Sequence, residues 1–157
     1  MAMPMPSPSA GDNELECMVG TWRGKEIIHP SPIAPTGGTV DGVAQNVRAL
    51  DGFALVQDYT QSHGDHVTFR GHGVFRFDSA SGIHHLHWFD SMGQGPTLWT
   101  GCMKSGRMTM EHIGPPMSMR AAWDFTRDGH LTYHMDIAFA GQPWTRFIDC
   151  EYRRDAD

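Results

Sequence analysis

The residues best suited to chemistry in this chain are its histidines, ten among 157 positions. Imidazole is both a metal ligand and the side chain that moves protons near neutrality. Spacing singles out Ile83-His84-His85-Leu86-His87-Trp88-Phe89-Asp90. On a strand, His85 and His87 leave the same face. Alternation leaves open which face that is, because Ile83, His85, His87 and Phe89 form one apolar set, and His84, Leu86, Trp88 and Asp90 form another. If the odd set points inward, the pair meets His112, which shares a face with Met108 and Met110. Three such imidazoles are candidate catalytic residues, able to hold a divalent metal or to act as general acid and base on a bound ligand. The competing reading is a hydrogen-bonded structural pair, the commoner fate of an H-x-H on a strand. The other histidines sort outward. His72, His130 and His134 fall on solvent parity, His63 and His66 flank a Gly-Asp turn, and His29 stands beside Pro30.

The elements that must position these groups are strands. Asp12–Met18 is predicted as a helical turn capped by Asp12 or Asn13. From Val19 onward, short alternating runs separated by turn residues predict about ten strands. They run Gly20–His29, Thr39–Ala49, Phe53–Gln61, Val67–Phe77, Ile83–Phe89, Pro96–Cys102, Arg107–His112, Met117–Thr126, His130–Phe139 and Pro143–Arg153. Asp51-Gly52 marks a hairpin, and no helical period is long enough for a crossover between parallel strands. Sequential antiparallel strands close most economically as an up-and-down barrel, which leaves no exposed edge. The expectation is therefore an all-β protein, with residues 1–10 a disordered tail and 11–157 one up-and-down barrel domain.

Alternation also assigns the lining. Met117, Met119, Ala121, Trp123 and Phe125 share the inner face of one strand, and Leu131, Tyr133, Met135, Ile137 and Phe139 that of the next. Val67, Phe69, Gly71, Gly73, Phe75 and Phe77 point the same way, as do Phe53, Leu55, Gln57 and Tyr59. In the last strand Trp144, Arg146, Ile148, Cys150 and Tyr152 fall together, and in the first Glu26 shares the parity of Trp22. An inner carboxylate or guanidinium needs a partner, so Glu26 and Arg146 mark a polar spot able to orient a ligand, or else pair with one another. A lining rich in Met and aromatic rings suits an apolar or aromatic ligand. Eight strands are about filled by their own side chains, and ten leave more room.

Composition excludes several other classes. Twelve Lys and Arg against eighteen Asp and Glu give a net charge of −6, with no basic block for nucleic acid. No run approaches the length of a membrane span, and the N-terminal MAMPMPSPSAGDNE has neither the basic nor the apolar region of a signal peptide. Cys17, Cys102 and Cys150 are odd in number and far apart, which suits a reducing cytoplasm rather than a disulfide framework.

Gly20-Thr21-Trp22-Arg23-Gly24, after a helical turn, resembles the opening of the calycin barrels: lipocalins, fatty-acid-binding proteins and nitrobindins. Further motifs resemble a bacterial family known as a domain of unknown function with a lipocalin-like barrel. They are Leu50-Asp51-Gly52-Phe53-Ala54-Leu55, Gly71-His72-Gly73-Val74-Phe75-Arg76-Phe77-Asp78, Trp88-Phe89-Asp90-Ser91-Met92-Gly93, and Tyr152-Arg153-Arg154. The likeness implies the barrel, with Trp22 plugging one end under Arg153 or Arg154, and supplies no chemistry. Nitrobindin-like relatives imply haem held by a His near the C-terminus. Residues 140–157 contain no His, so haem would need His112, His85 or His87. Together these observations point to a barrel holding a hydrophobic or aromatic small molecule among Glu26, Tyr59, Phe69, Phe75, His87, Met108, Met110, His112, Met119, Trp123, Tyr133, Met135 and Arg146. A His-based enzyme and a haem protein are the alternatives, a divalent metal or haem the cofactors they would use, and pairing with a second copy is open.

Overall fold

The computed structural model describes residues 1–156. A four-residue helix, α1 (Ala10–Asn13), runs into a 3-10 helix over Glu14–Met18, and ten strands follow. These are β1 (Gly20–Ile28), β2 (Gly38–Ala49), β3 (Ala54–His63), β4 (His66–Asp78), β5 (Ile83–Asp90), β6 (Thr97–Lys104), β7 (Arg107–His112), β8 (Met117–Asp124), β9 (His130–Phe139) and β10 (Thr145–Arg154). Each pairs antiparallel with its neighbours in sequence, and β1 pairs with β10, so the sheet is a closed up-and-down barrel. Closure gives every strand two hydrogen-bonded neighbours and leaves no open edge. Among the described residues no helix is long and apolar enough to cross a membrane.

The N-terminal helices close one end. Ser9, and not Asp12 or Asn13, is the N-cap. Its hydroxyl accepts from the Asp12 amide while the Asp12 carboxylate accepts from the Ser9 amide, so helix structure begins two residues before the predicted start. Leu15 and Met18 are fully buried against the barrel, each contributing roughly 1.5–3 kcal/mol. Trp22 lies beneath them, edge-on to Phe125 at 5.3 Å, with its indole N–H donating to the Met18 carbonyl at 2.9 Å. Arg154 covers the outside of that ring, its guanidinium carbon 5.7 Å from the ring centroid. Arg48 ties the plug to the β2–β3 turn by donating to the carbonyls of Asp12 and Gly52. That turn requires the left-handed conformation at Leu50 (φ 52°) and Asp51 (φ 55°), which an Asp tolerates better than most residues.

The Gly-x-Gly of β4 answers to a cross-strand need. Gly71 and Gly73 face inward, and a Cβ on Gly71 would stand 2.2 Å from Cζ2 of Trp88. The Trp88 indole therefore lies across the two glycines of the neighbouring strand, with Gly73 opposite Trp88 and Phe75 opposite Leu86 in the register.

Candidate functional site

That register settles the ambiguous strand. His84, Leu86, Trp88 and Asp90 occupy the inner face of β5, so His85 and His87 are outside the barrel, contrary to the face the three-histidine arrangement requires. There Arg76 of β4 donates from Nε to His87 Nε2 at 3.0 Å and from Nη2 to His85 Nδ1 at 2.7 Å. Burial and the Arg76 charge together hold the His85 imidazole below its ordinary pKa. The inward histidine is His84, which is buried and has both nitrogens engaged. Nδ1 accepts from the Met103 amide at 3.2 Å, and Nε2 donates to the Gly11 carbonyl at 2.9 Å. It latches α1 to the barrel wall. His112 has the expected inner parity but sits at the rim, its Nδ1 donating to the Leu98 carbonyl at 3.0 Å. The three candidates thus share no space, and among the described residues no group of three His, Cys, Asp or Glu converges as a metal site.

Arg146 also departs from its predicted face. Arg146 stands opposite Asp136 but Ile148 stands opposite Met135, so β10 carries an extra residue between them and its parity reverses there. Arg146 instead joins an outer row, donating to Asp136 at 2.7 Å and to Asp149 at 2.6 Å. Arg120 reaches the same Asp136 at 3.0 Å and lies over Trp144 at 4.4 Å. These groups border an outer depression of about 750 Å³. A second, of about 480 Å³, lies beside Arg23, Asp58 and Arg70. Both are open to solvent.

The polar spot inside the barrel belongs to Glu26, with no contribution from Arg146. Glu26 is 0% exposed. Its Oε1 accepts from the phenols of Tyr59, at 2.5 Å, and Tyr152, while Oε2 accepts from Gln61 Nε2 at 2.7 Å. Gln61 bridges on to the Tyr59 phenol at 2.8 Å. Gly42 makes this possible, since a Cβ there would stand 2.5 Å from Glu26 Oε1. Burial pushes the Glu26 carboxyl above its ordinary pKa, and the three donors pull it back only in part. Burial and the adjacent acid likewise drive the Tyr59 and Tyr152 phenols well up, so both stay protonated donors. Among the described residues no Lys or Arg pairs with Glu26.

A band of rings continues from this cluster. Tyr59 lies 6.0 Å from Phe69 and 6.1 Å from Trp88, Tyr133 lies 5.2 Å from Trp123 and 6.3 Å from Tyr152, and Trp123 lies 6.4 Å from Phe75. Phe75, Met108 and Met110 are buried core. Tyr59, Phe69, Trp88, Met119, Trp123, Tyr133 and Met135 share the inner face yet are only partly buried. Trp99, on the inner face of β6, is 6% exposed, and its indole N–H has no hydrogen-bond partner. Sequence reasoning missed Gln61, Tyr152, Trp88 and Trp99 as site residues. Simple continuation of the Gln57–Tyr59 and Cys150–Tyr152 alternation reaches Gln61 and Tyr152, whereas Trp88 and Trp99 needed the face of β5 to be known.

A search of solved structures finds the same barrel in a number of other proteins. Rv2717c from M. tuberculosis superposes with a TM-score of 0.73 at 13% identity, over 94% of this chain and 99% of that one. The S-type phycobiliprotein lyase CPES from Guillardia theta superposes with a TM-score of 0.63 at 14% identity, over 96% and 99%. At such identities the likeness is one of fold. No curated protein matches the sequence. The family model described as "Protein of unknown function (DUF1579)" matches residues 7–154, the whole barrel with its plug, and the chain belongs to that family.

Proposed function

We propose that the barrel binds a small apolar or aromatic molecule between the plug and the far rim. The observation that carries this is the partial burial of inward-facing rings. A barrel filled by its own side chains buries all of them, whereas Tyr59, Trp88, Trp123 and Tyr133 point inward and keep accessible surface. Met119 and Met135 add deformable contact beside them, which tolerates ligands of irregular outline. The Glu26–Tyr59–Gln61 group is the polar element that would orient the ligand in an otherwise apolar lining. One protein of the same fold is a phycobiliprotein lyase, which supports a ligand-binding reading of a barrel of this form. The exposed and half-buried free thiols of Cys102 and Cys17 support a reducing cytoplasmic setting.

Binding is measured by titrating a panel of apolar fluorophores and following quenching of the Trp emission, since Trp88, Trp99 and Trp123 all sit on the inner face. Saturable quenching that is weakened by Trp123→Ala supports the proposal. No response across the panel refutes it. His85, His87 and His112 no longer favour an enzyme or haem reading, because two are outside and the third holds a rim carbonyl.

A further inference from the structure

The inner face beyond the plug has an uneven charge balance. Glu26 rises from β1, and Asp90 stands at the end of β5, accepting from the Trp88 indole at 3.0 Å. The basic side chains of inner parity, Arg48 and Arg154, are both at the plugged end, holding the Asp12 and Gly52 carbonyls and covering Trp22. Every other strand contributes side chains without formal charge to the wall past that point, with His112 at the rim. A buried carboxyl without a cationic partner carries a desolvation penalty that a ligand of opposite charge would relieve. The rings beside it have negative faces suited to the same kind of ligand.

A second feature of the wall is independent of the acids. The Trp99 indole N–H is buried and unpartnered, and among the described residues no other buried side-chain nitrogen or oxygen is left so. Strand β6 lies five places from β1 in a ring of ten, so Trp99 and Glu26 rise from opposite walls. An orphaned buried donor leaves a free energy penalty that an acceptor atom brought in by a ligand would remove.

We propose that the lumen selects a cationic nitrogen compound, a protonated amine on an aromatic or apolar body, seated against Tyr59, Phe69 and Trp88 with Glu26 and Asp90 behind them. An oxygen on the far side of the ligand accepts from Trp99. A carboxylate ligand of the same shape is rejected, because it would set its charge against the carboxyls of Glu26 and Asp90 with no Lys or Arg to receive it. This inference rests on the lumen-binding proposal and deepens it.

The test is a matched set of probes, 1-naphthylmethylamine, 1-naphthalenemethanol and 1-naphthoate, titrated into the whole protein at neutral pH with Trp quenching as readout. The expected order is ammonium over alcohol over carboxylate, with the first and last about tenfold or more apart. In Glu26→Gln and Asp90→Asn the advantage of the ammonium over the alcohol is expected to shrink to under about threefold. Should either variant fail to fold, the wild-type order still decides. If the alcohol binds and charge makes no difference, or the carboxylate binds best, the cation preference is overturned while the lumen reading stands. If none of the three binds, both fall.

Discussion

Glu26→Gln tests the buried acid through the pH dependence of stability. The substitution keeps the shape of the side chain and an oxygen to accept from Tyr59 and Tyr152, and Gln61 keeps its bond to the Tyr59 phenol. What it removes is the titratable proton, together with the Oε2 acceptor of Gln61. The three donors recover only part of what the charged carboxylate loses on leaving water. Taking that carboxylate out of water costs several kcal/mol. The structure, with full burial and no cation, puts the balance on the side of burial, so the native carboxyl titrates above its ordinary value of 4.5. The native state then holds a proton that the unfolded chain has already released, and wild-type stability from this group falls as pH rises from 4.5 through the raised native value. The slope approaches about 1.4 kcal/mol per pH unit where the difference is a whole proton. The Gln variant has no such slope. Urea unfolding of both proteins from about pH 4 to about pH 8 should show the variant gaining on wild type as pH rises, then levelling. A constant gap, or wild type gaining on the variant with rising pH, would mean the phenols and amide outweigh burial, and would refute the reasoning.

Three further outcomes follow from the packing. His84→Ala strands the Met103 amide and the Gly11 carbonyl, and should lower unfolding stability by about 2–4 kcal/mol while speeding proteolysis ahead of β1. Gly71→Ala drives a methyl into the Trp88 ring, and should cost about 1–3 kcal/mol with a shifted Trp emission spectrum. His85→Ala and His87→Ala alter an outer contact with Arg76, and each should change stability by about 0.5–1 kcal/mol. Titration with the same fluorophore panel should show wild-type affinity in both, and a loss greater than about tenfold in either would return the histidines to the site.

Alternation alone identified the inner face wherever the two faces of a strand differ in chemistry. In β8 and β9 one parity is Met, Ala, Trp, Leu, Tyr, Ile and Phe and the other is Ser, Arg, Asp, Thr and His with Ala122 and Ala138, so burial admits one solution, and the lining residues Met119, Trp123, Tyr133 and Met135 follow from it. The bounds of β7 and β9 coincide with those predicted, since turn residues mark both ends. In β5 both parities mix histidine with large apolar side chains, so local pattern carries no preference. Its face is chosen by the next strand, where Gly71 and Gly73 leave space that Trp88 and Leu86 fill. Arg146 was misplaced for a different reason. A bulge inserts one residue into the period of two, and nothing in the composition of Thr145–Ile148 announces it.

The amino-acid sequence by itself determined an all-β chain of about ten sequential strands closing as a barrel after a short helical turn, because strand period, turn chemistry and the absence of any helical stretch long enough for a crossover are local properties. That the helices plug the barrel over Trp22 came from the tertiary structure. Which groups meet inside was decided only by the tertiary structure. Glu26, Tyr59, Gln61 and Tyr152 come from three strands and up to 126 positions apart, and they converge because closing β1 onto β10 brings the two ends of the chain into one wall. The ten histidines show the same division. Their number is a fact of sequence, but cross-strand packing sent His84 inward as a latch and left His85 and His87 to Arg76 outside.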